Sequence, residues 1–489
     1  MLFNSWSYLL FTCIGISLSY VTKGKFRVAI LFAFSVLFYA MWRWDMVFLM
    51  LFSASIDFFT AKRIYQTDSK LAKKGWLMIT LICNLGLLVF FKYAYFFDDN
   101  LNSIFSWFGA PYHGLRDSGL KIILPLGISF YTFHTISYSI DVYRGIQTPI
   151  KNYVLFATYV TFWPQLMAGP ILRGGEVIPQ LEEEKQFQWV NINAGIYRLL
   201  IGLFKKVVIA DNIASLVDEG FLINSTFLTA WDVWMLTILF GFQIYFDFAG
   251  YSDMAIGTAR MMGFHFPENF NWPYLANSPR EFWKRWHISL SSWIRDYLYL
   301  PLMGKKIKTK KSESSGGIDI AEAGHGNNTK DRTTFALFAT WIIMGFWHGA
   351  GWNFGIWGLY HATLIFIFRR FEFLTVFTEK YKRLGVLFTF FLMMASWIPF
   401  RSANVSQTID LFAVIFNPMK YNIFDKQLHI SYYFYTFSLM AIMFLFYSIR
   451  GTLFFEKIKP VMKPILIPFM VAFVIVYMRQ VVQFIYFQF

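Results

Sequence analysis

The chain has 489 residues, of which 56% are hydrophobic and only 15% are charged. A soluble domain averages nearer a quarter charged residues, so this composition excludes an ordinary soluble enzyme and indicates a polytopic membrane protein. The net charge of +15 does not indicate nucleic-acid binding, because lysine and arginine collect in the cytoplasmic loops of membrane proteins. Cys13 and Cys83 lie in separate apolar runs and match neither a disulfide framework nor a zinc motif.

Long stretches with few charges predict an all-α protein with eleven to thirteen membrane helices. The candidate segments are residues 6–22, 27–42, 45–61, 76–96, 121–141, 152–169, 195–213, 228–248, 333–350, 352–368, 383–399, 434–449 and 464–486. Lys23, Lys25 and Arg27 lie at the first loop and five more basic residues follow the third segment, whereas aspartates dominate the loop after the fourth. The positive-inside rule therefore predicts an outside N-terminus and cytoplasmic first and third loops.

Polar residues interrupt the apolar runs between residues 124 and 269. His134 is expected to be a hydrogen-bonded histidine on a helix-packing face, with a site role left open. Two prolines around Gln165 predict a broken helix. Asp247 and Asp253 are six residues apart, which favours an interfacial turn over a catalytic carboxylate pair, and His265 is expected to be structural.

The segment from Ser278 to Pro301 is expected to begin as a helix. Ser278 fits the N-cap, a proline follows at the first helical position, and Glu281 completes a capping box. The spacing predicts one apolar stripe and a second face made of Lys284, His287, Ser291 and Arg295. Because charged residues are costly at the centre of a bilayer, the helix is predicted to lie in the interface or along a polar cavity rather than to cross the membrane.

No charged residue occurs among the 36 residues from Thr333 to Phe368. At about 1.5 Å per residue this run is too long for one crossing of a core ~30 Å thick, so it must fold back, tilt or break. Glycines at 345, 349, 351 and 355 offer two spacings that favour close helix approach or a local break. They surround His348, which Trp347 and Trp352 flank, and a histidine at membrane depth is a functional-site candidate.

Five lysines between residues 305 and 311 are followed by a tract rich in serine, glycine and asparagine. This pattern predicts a flexible cytoplasmic loop at residues 304–332. A solvated run of charges is favoured there, and a contact with anionic lipid is the alternative.

Five motifs together resemble the membrane-bound O-acyltransferase (MBOAT) superfamily. They are PLGISFYTF from Pro125, FDFAGYSDMAIG from Phe246, FPENF from Phe266, EFWKRWHISLSSW from Glu281 and FWHGA from Phe346. The resemblance is closest to alginate O-acetylase membrane subunits, and the membrane proteins for D-alanyl transfer to teichoic acids and for peptidoglycan O-acetylation are near relatives. It covers about residues 1–400, with a catalytic core at about 121–368, and implies a single integral-membrane domain over residues 1–489.

By this resemblance, His348 matches the family's hallmark histidine and His287 its second histidine. The fold implied is a ring of helices, some of them re-entrant, around a central funnel in the bacterial inner membrane. His348 is expected to act as general base, because a neutral histidine can take a hydroxyl proton. His287 is expected to orient the thioester or to stabilise the oxyanion. Candidates for substrate binding are Trp347, Asn353, Lys284, Arg295 and Ser291.

The acyl group is expected to come from acetyl-CoA or another cytoplasmic thioester, with no bound cofactor and no metal. The implied partners are the bilayer, an extracytoplasmic SGNH-type acyltransferase and a polysaccharide acceptor that is acylated directly or indirectly. An alginate-type exopolysaccharide is favoured, with peptidoglycan O-acetylation or D-alanylation of teichoic acid as alternatives. A transporter, a metalloenzyme using His287, His348 and His361, and a structural scaffold stay open as other classes.

Overall fold

The computed structural model describes residues 3–167, 169–305 and 327–478, and within these ranges every regular element is a helix. The all-α prediction is therefore confirmed. The chain divides into two units, which in the described ranges comprise residues 3–199 and 254–267 in unit 1 and residues 200–253, 268–305 and 327–478 in unit 2. Most of the lysine-rich loop, residues 306–326, lies outside the described residues. The single-domain prediction for residues 1–489 stays a prediction.

Unit 1 contains the first eight helices and most of the ninth. They are α1 Trp6–Val21, α2 Gly24–Ala40, α3 Asp45–Gln66, α4 Lys70–Trp107, α5 Ile128–Tyr143, α6 Tyr153–Thr161, α7 Trp163–Leu166, α8 Gly174–Glu182 and α9 Trp189–Leu203. A π-helical turn, Phe204–Ala210, continues α9 into unit 2.

Unit 2 contains most of α11 and the remaining helices. They are α10 Asp211–Leu222, α11 Ala230–Met261, α12 Pro279–Arg285, α13 Ile288–Ile294, α14 Leu300–Leu302, α15 Asn327–His348, α16 Trp352–Arg370, α17 Glu372–Lys380, α18 Lys382–Arg401, α19 Val405–Phe416, α20 Ile430–Ile449 and α21 Leu453–Tyr477. A second π-helical turn, Arg295–Tyr299, joins α13 to α14.

Four described helices are long and apolar enough to cross a membrane, namely α4, α11, α18 and α20. The bent pair Leu453–Met462 and Pro464–Tyr477 raises the number to five if it forms one span. The eleven to thirteen crossings expected from the sequence exceed this number, although the candidate segments are largely helical. The difference arises because some helices, such as α1 with 16 residues, are shorter than a full crossing needs, and others, such as α3 with 22 residues, carry several charged side chains.

The broken helix predicted around Gln165 is confirmed. The chain leaves α6 at Thr161 and resumes with the single turn of α7 at Trp163. Gln165 is buried, and its Nε2 donates to the carbonyl oxygen of Tyr159 over 2.7 Å. The glutamine side chain therefore satisfies a backbone group that the break leaves open.

The apolar stripe in the segment from Ser278 to Pro301 predicted one helix that continues through His287, and this prediction is wrong. Ser278 caps α12 as expected, with its Oγ 3.2 Å from the backbone nitrogen of Glu281. The helix then ends at Arg285 and restarts at Ile288, with His287 between them in the left-handed region at φ 41°. The preceding segment takes over the freed backbone groups. The N–H of Asn271 donates to the carbonyl of Arg285 (2.9 Å), and the N–H of Ile288 donates to the carbonyl of Asn269 (2.9 Å).

The uncharged run from residue 333 to 368 folds back, which is one of the three outcomes that its length predicted. It forms α15 and α16, joined by the glycine turn at 349–351. A Cβ at Gly345 would lie 2.3 Å from the carbonyl oxygen of Phe354, and one at Gly358 would lie 2.3 Å from that of Trp341. These two positions must be glycine for the helix backbones to approach so closely.

Candidate active site

His348 ends α15 in a shell of aromatic side chains. It is 3% exposed, and its ring lies 4.8 Å from Trp347, 4.8 Å from Trp357 and 5.2 Å from Phe400 between centroids. The turn that follows is equally crowded, since a Cβ at Gly349 would lie 2.1 Å from the Phe354 ring. The imidazole is thus held in a fixed, apolar position at the end of a helix.

His287 lies at the break between α12 and α13 and is fully buried. Its ring packs edge to face on Phe248, with the centroids 4.5 Å apart. Asn269 holds it from the side through an Nδ1 to Oδ1 contact of 3.1 Å. The same Oδ1 accepts from the N–H (3.3 Å) and the Oγ (2.9 Å) of Ser289, and Nδ2 donates to Ser252 Oγ over 3.1 Å.

These contacts fix the tautomer of His287. A backbone N–H can only donate, so the Asn269 atom that Ser289 N–H contacts must be the carbonyl oxygen. The Nδ1 of His287 must therefore carry a proton, which leaves a lone pair on Nε2 when the ring is neutral. Burial lowers the pKa of His287 to about 3, so the ring is neutral at physiological pH and Nε2 is an acceptor.

His361 joins the two histidine motifs. It is 1% exposed, and its Nδ1 accepts from the indole Nε1 of Trp283 over 3.3 Å. Trp341 stacks on its ring at 5.3 Å and Trp357 lies 4.6 Å away. Because Trp357 also contacts His348, a short series of rings connects the EFWKRWH segment with the FWHGA segment. From the sequence, His361 was a candidate only as a metal ligand.

Two buried N–H donors occur in this cluster. Because Nδ1 of His361 accepts a hydrogen bond, the neutral ring carries its proton on Nε2. Neither this Nε2 nor the indole Nε1 of Trp357 has a hydrogen-bond partner among the described residues. A buried donor without an acceptor costs about 1–3 kcal/mol. The cluster beside His348 is therefore able to receive an acceptor oxygen.

The structure places Trp347 and Asn353 close to the glycine turn. Trp347 contacts the His348 ring directly. Asn353 is buried, and its Nδ2 donates to the carbonyl oxygens of Pro399 (3.0 Å) and Ser402 (2.9 Å). Both amide hydrogens thus tie α16 to the end of α18, and only Oδ1 is available for a ligand. A role for either residue in substrate binding stays a prediction.

The other predicted binding residues lie on both sides of the break at His287, with Lys284 before it and Ser291 and Arg295 after it. Ser291 is buried, and its Oγ donates to the carbonyl of Trp286 over 3.2 Å. Arg295 begins the second π-helical turn, and its Nε lies 2.7 Å from Oδ1 of Asp296. Lys284 belongs to α12, which ends at Arg285. The break therefore separates Lys284 from Ser291 and Arg295, which the sequence had predicted to share one helix face with it. Their binding roles stay predictions.

The remaining polar candidates have local partners. His134 is fully buried, and its Nε2 accepts the N–H of Leu172 over 3.2 Å, as expected for a structural histidine. The turn predicted at Asp247 and Asp253 is wrong, because α11 continues through both to Met261. Each carboxylate pairs with a different lysine of the first π-helical turn. Asp247 lies 2.8 Å from Lys206, and Asp253 lies 2.6 Å from Lys205.

Sequence reasoning missed Asn269, Trp283 and Trp357 as site residues. The only signal for Asn269 was its position in the FPENF motif, eighteen residues before His287. The tryptophans looked like ordinary members of apolar stripes. In the described part of the chain, no group of three or more His, Cys, Asp or Glu side chains is placed to hold a metal ion.

Histidines buried at a helix end and at a helix break, within an apolar helical protein, are the features expected of an acid–base site of a membrane-embedded enzyme. The comparisons identify which one. The profile of the MBOAT, membrane-bound O-acyltransferase family matches residues 147–318. The probable alginate O-acetylase AlgI of Azotobacter vinelandii is 37% identical over 421 residues, which cover 85% of this chain and 78% of that protein.

Two further relatives bear other names. The peptidoglycan O-acetyltransferase of Helicobacter pylori is 36% identical over 406 residues, covering 77% of this chain and 71% of that protein. The teichoic acid D-alanyltransferase of Bacillus subtilis is 31% identical over 274 residues, covering 54% and 62%. The chain belongs to the membrane-bound O-acyltransferase family. It is an O-acyltransferase, and the resemblance seen in its motifs is confirmed.

Proposed function

We propose that this protein takes an acetyl group from a cytoplasmic thioester and passes it across the bacterial inner membrane for O-acetylation of an extracytoplasmic polysaccharide. An alginate-type exopolysaccharide is the favoured acceptor, because the relatives that match over 85% of the chain are named for alginate. Peptidoglycan is the second candidate on the strength of the Helicobacter pylori relative. The teichoic acid relatives match a smaller part of the chain.

In the proposed reaction, His348 is the general base. A hydroxyl oxygen attacks the thioester carbonyl carbon, and its proton passes to a ring nitrogen of His348. The C–S bond then breaks, and the sulfur leaves as a thiolate that takes the proton back from the imidazolium. The aromatic shell around His348 supports this role, because it fixes the ring and excludes competing water.

The tautomer of His287 distinguishes between the two roles expected for it. A neutral ring with its lone pair on Nε2 accepts a hydrogen bond but cannot donate one from that atom to an oxyanion. We assign His287 the orientation of the thioester, through an N–H of the donor, and not the oxyanion role. The indole N–H of Trp357 is the better oxyanion donor, because it is buried beside His348 and has no acceptor among the described residues.

The donor is proposed to be acetyl-CoA or another acyl thioester, with no bound metal or cofactor. An extracytoplasmic SGNH-type partner is proposed to receive the acetyl group and to complete its transfer to the polymer. Two relatives named for different acetylated polymers support this division of labour. A membrane enzyme that hands the acetyl group to a separate partner need not itself select the polymer.

The burial of His348 among aromatic rings is the observation that carries the proposal. The test is a chromosomal deletion complemented with the wild-type gene or with His348→Gln. Esters on extracellular polysaccharide, peptidoglycan and teichoic acid are measured by mass spectrometry, together with membrane abundance. We expect acetyl esters on one polymer to disappear in the deletion and in His348→Gln. Acetyl esters at wild-type level in His348→Gln, at equal abundance, would show that His348 is a packing residue. If only D-alanyl esters are lost, the transferred group is D-alanyl and not acetyl, and the proposed acetyl donor is wrong.

A further inference from the structure

Arg27, near the start of α2 in unit 1, is a buried arginine with two unused donor groups. The residue is 3% exposed, and its Nη1 donates to the backbone carbonyl of Glu183 over 2.6 Å. Its Nε and Nη2 are buried and have no hydrogen-bond partner among the described residues. A guanidinium group is charged at every physiological pH. Leaving its N–H groups buried without acceptors is therefore costly.

Nε and Nη2 form the edge of a guanidinium group that binds two oxygens of a carboxylate or phosphate in bidentate fashion. Arg116 in the same unit shows this geometry, because its Nε and Nη2 hold the two carboxylate oxygens of Asp99 at 2.8 and 2.9 Å. Nε–H and Nη2–H point in parallel from one side of the planar group, which suits two oxygens of a carboxylate or phosphate. Arg27 presents the same edge with no oxyanion of the described chain on it.

The surroundings of Arg27 favour a negative ligand. Its Cζ lies 5.2 Å from the centroid of the Phe264 ring, and Nζ of Lys185 lies 5.8 Å from the same centroid. Two cations therefore share one aromatic ring. The next residue, His265, reports the local field, since burial lowers its pKa and the positive charges of Arg260 and Lys185 lower it further.

The nearby carboxylates do not fill the site. Glu183 forms an ion pair with Lys185 and its side chain is 68% exposed. Glu184 is also exposed, and its charge acts on Arg27 without a hydrogen bond to the guanidinium. Glu183 is thus paired with Lys185, and neither Glu183 nor Glu184 offers a carboxylate to the unused N–H groups of Arg27.

We propose that Arg27 and Lys185 bind a phosphate group at this end of unit 1, and that the phosphate belongs to the carrier of the acyl thioester. The positive-inside rule places Lys23, Lys25 and Arg27 on the cytoplasmic side, where coenzyme A and phosphopantetheine carriers are found. Both carriers join phosphate to the thiol arm. The choice of this phosphate rests on the proposed function, whereas the anion site rests on Arg27 alone. A phospholipid headgroup is the other source of the same chemistry.

The test measures binding without turnover. Full-length protein in phosphatidylcholine nanodiscs is titrated with free coenzyme A and with inorganic pyrophosphate by calorimetry. Arg27→Gln removes the charge and the fork, and Arg27→Lys keeps the charge without the fork. Arg116→Gln is the matched control, because that edge is already filled by Asp99. We expect Arg27→Gln to weaken coenzyme A binding about 10- to 100-fold, Arg27→Lys to weaken it less, and Arg116→Gln to leave it unchanged.

Equal coenzyme A affinity in wild type and both Arg27 variants would overturn the proposal. A second arm uses nanodiscs that contain phosphatidylglycerol. If this lipid raises the thermal stability of wild type but not of Arg27→Gln, and coenzyme A has no effect in either membrane, the assignment to the thioester carrier is wrong. Elution as a single species in size-exclusion chromatography shows that each variant is folded. Since no acyl transfer is measured, a wrong base or acceptor polymer would not change these results.

Discussion

Asn269 gives the sharpest test of how the site is held. Its Oδ1 accepts from His287 Nδ1 over 3.1 Å and from both the N–H and the Oγ of Ser289. Asn269→Ala leaves the His287 Nδ1–H and the Ser289 N–H buried without that acceptor. At about 1–3 kcal/mol for each donor, the free energy of unfolding should fall by about 2–6 kcal/mol. The His287 ring also loses the contact that fixes its tautomer and position, and because a displacement of about 1 Å in an active site can cost about 10²-fold, activity per folded molecule should fall by up to that factor.

Asn269→Asp changes charge instead of shape. A carboxylate beside the ring stabilises its protonated form, which should raise the pKa of His287 from about 3 by about 1–3 units. Activity at pH 7.5 should then exceed that of Asn269→Ala, and a new loss of activity should appear as the pH falls through about 6 to 4. The acid side of the pH profile of acetyl transfer by purified protein is the measurement.

The stability of the wild-type protein should decrease at acid pH, because the pKa of His287 is lower in the folded state than in the unfolded chain. Because the folded pKa of His287 lies below its ordinary value near 6.5, the unfolded chain binds more protons between these values. Stability should therefore be fully present above pH 6.5 and decrease as the pH falls towards 3, by on the order of 5 kcal/mol at about 1.4 kcal/mol for each pKa unit. In Asn269→Asp the acid loss from this group should be smaller.

Ser252→Ala is the control, because it removes the partner of Asn269 Nδ2 and leaves Oδ1 and its donors in place. It should lower stability without changing the pH profile. Wild-type activity and stability in Asn269→Ala, or a pH profile in Asn269→Asp identical to that of wild type, would refute the assignment of the tautomer.

Two further predictions concern the packing around His348. Trp357→Phe removes the proposed oxyanion donor and should lower kcat about 10²–10³-fold with little change in KM. Trp397→Phe also removes a buried indole N–H, but this tryptophan is one ring further from His348, so its effect should be much milder. Equal losses of kcat for the two variants in steady-state assays would reject the donor role. Gly358→Ala should destabilise the protein by about 1–3 kcal/mol or more, because the new Cβ would lie 2.3 Å from the carbonyl oxygen of Trp341, and an unchanged melting temperature would contradict this packing.

The parts of the fold set by local rules were predictable. The cap at Ser278 follows from serine and proline at fixed positions, and the fold-back after His348 follows from the length of an uncharged run. The break at His287 could not be predicted, because an apolar stripe continues through it. Backbone hydrogen bonds with residues 269–271 stabilise the break. These long-range bonds leave no trace in the hydrophobic periodicity of the segment.

The same distinction applies to the site. The motifs singled out His287 and His348 from the sequence, and both side chains are buried, while their catalytic roles stay predictions. The partners that define their chemistry were not predictable. Asn269 lies eighteen residues from His287 in sequence, and Trp283 bonds a histidine 78 residues away. From residue type and spacing alone, a tryptophan that donates a hydrogen bond to His361 cannot be distinguished from one that only packs in the core.

The left-handed backbone at His287 limits what can replace this residue. A non-glycine residue at φ 41° is generally disfavoured by about 1–2 kcal/mol, and asparagine, aspartate and histidine adopt that region more often than the other non-glycine residues. Alanine at this position would keep the conformational cost and lose the ring contacts. An inactive His287→Ala protein would therefore not show whether the catalytic group or the folded structure had been lost. His287→Asn separates them, because its short amide suits the backbone yet has no titratable nitrogen. For a chain under selection, the backbone narrows the accessible replacements at this position to very few, whatever the reaction demands.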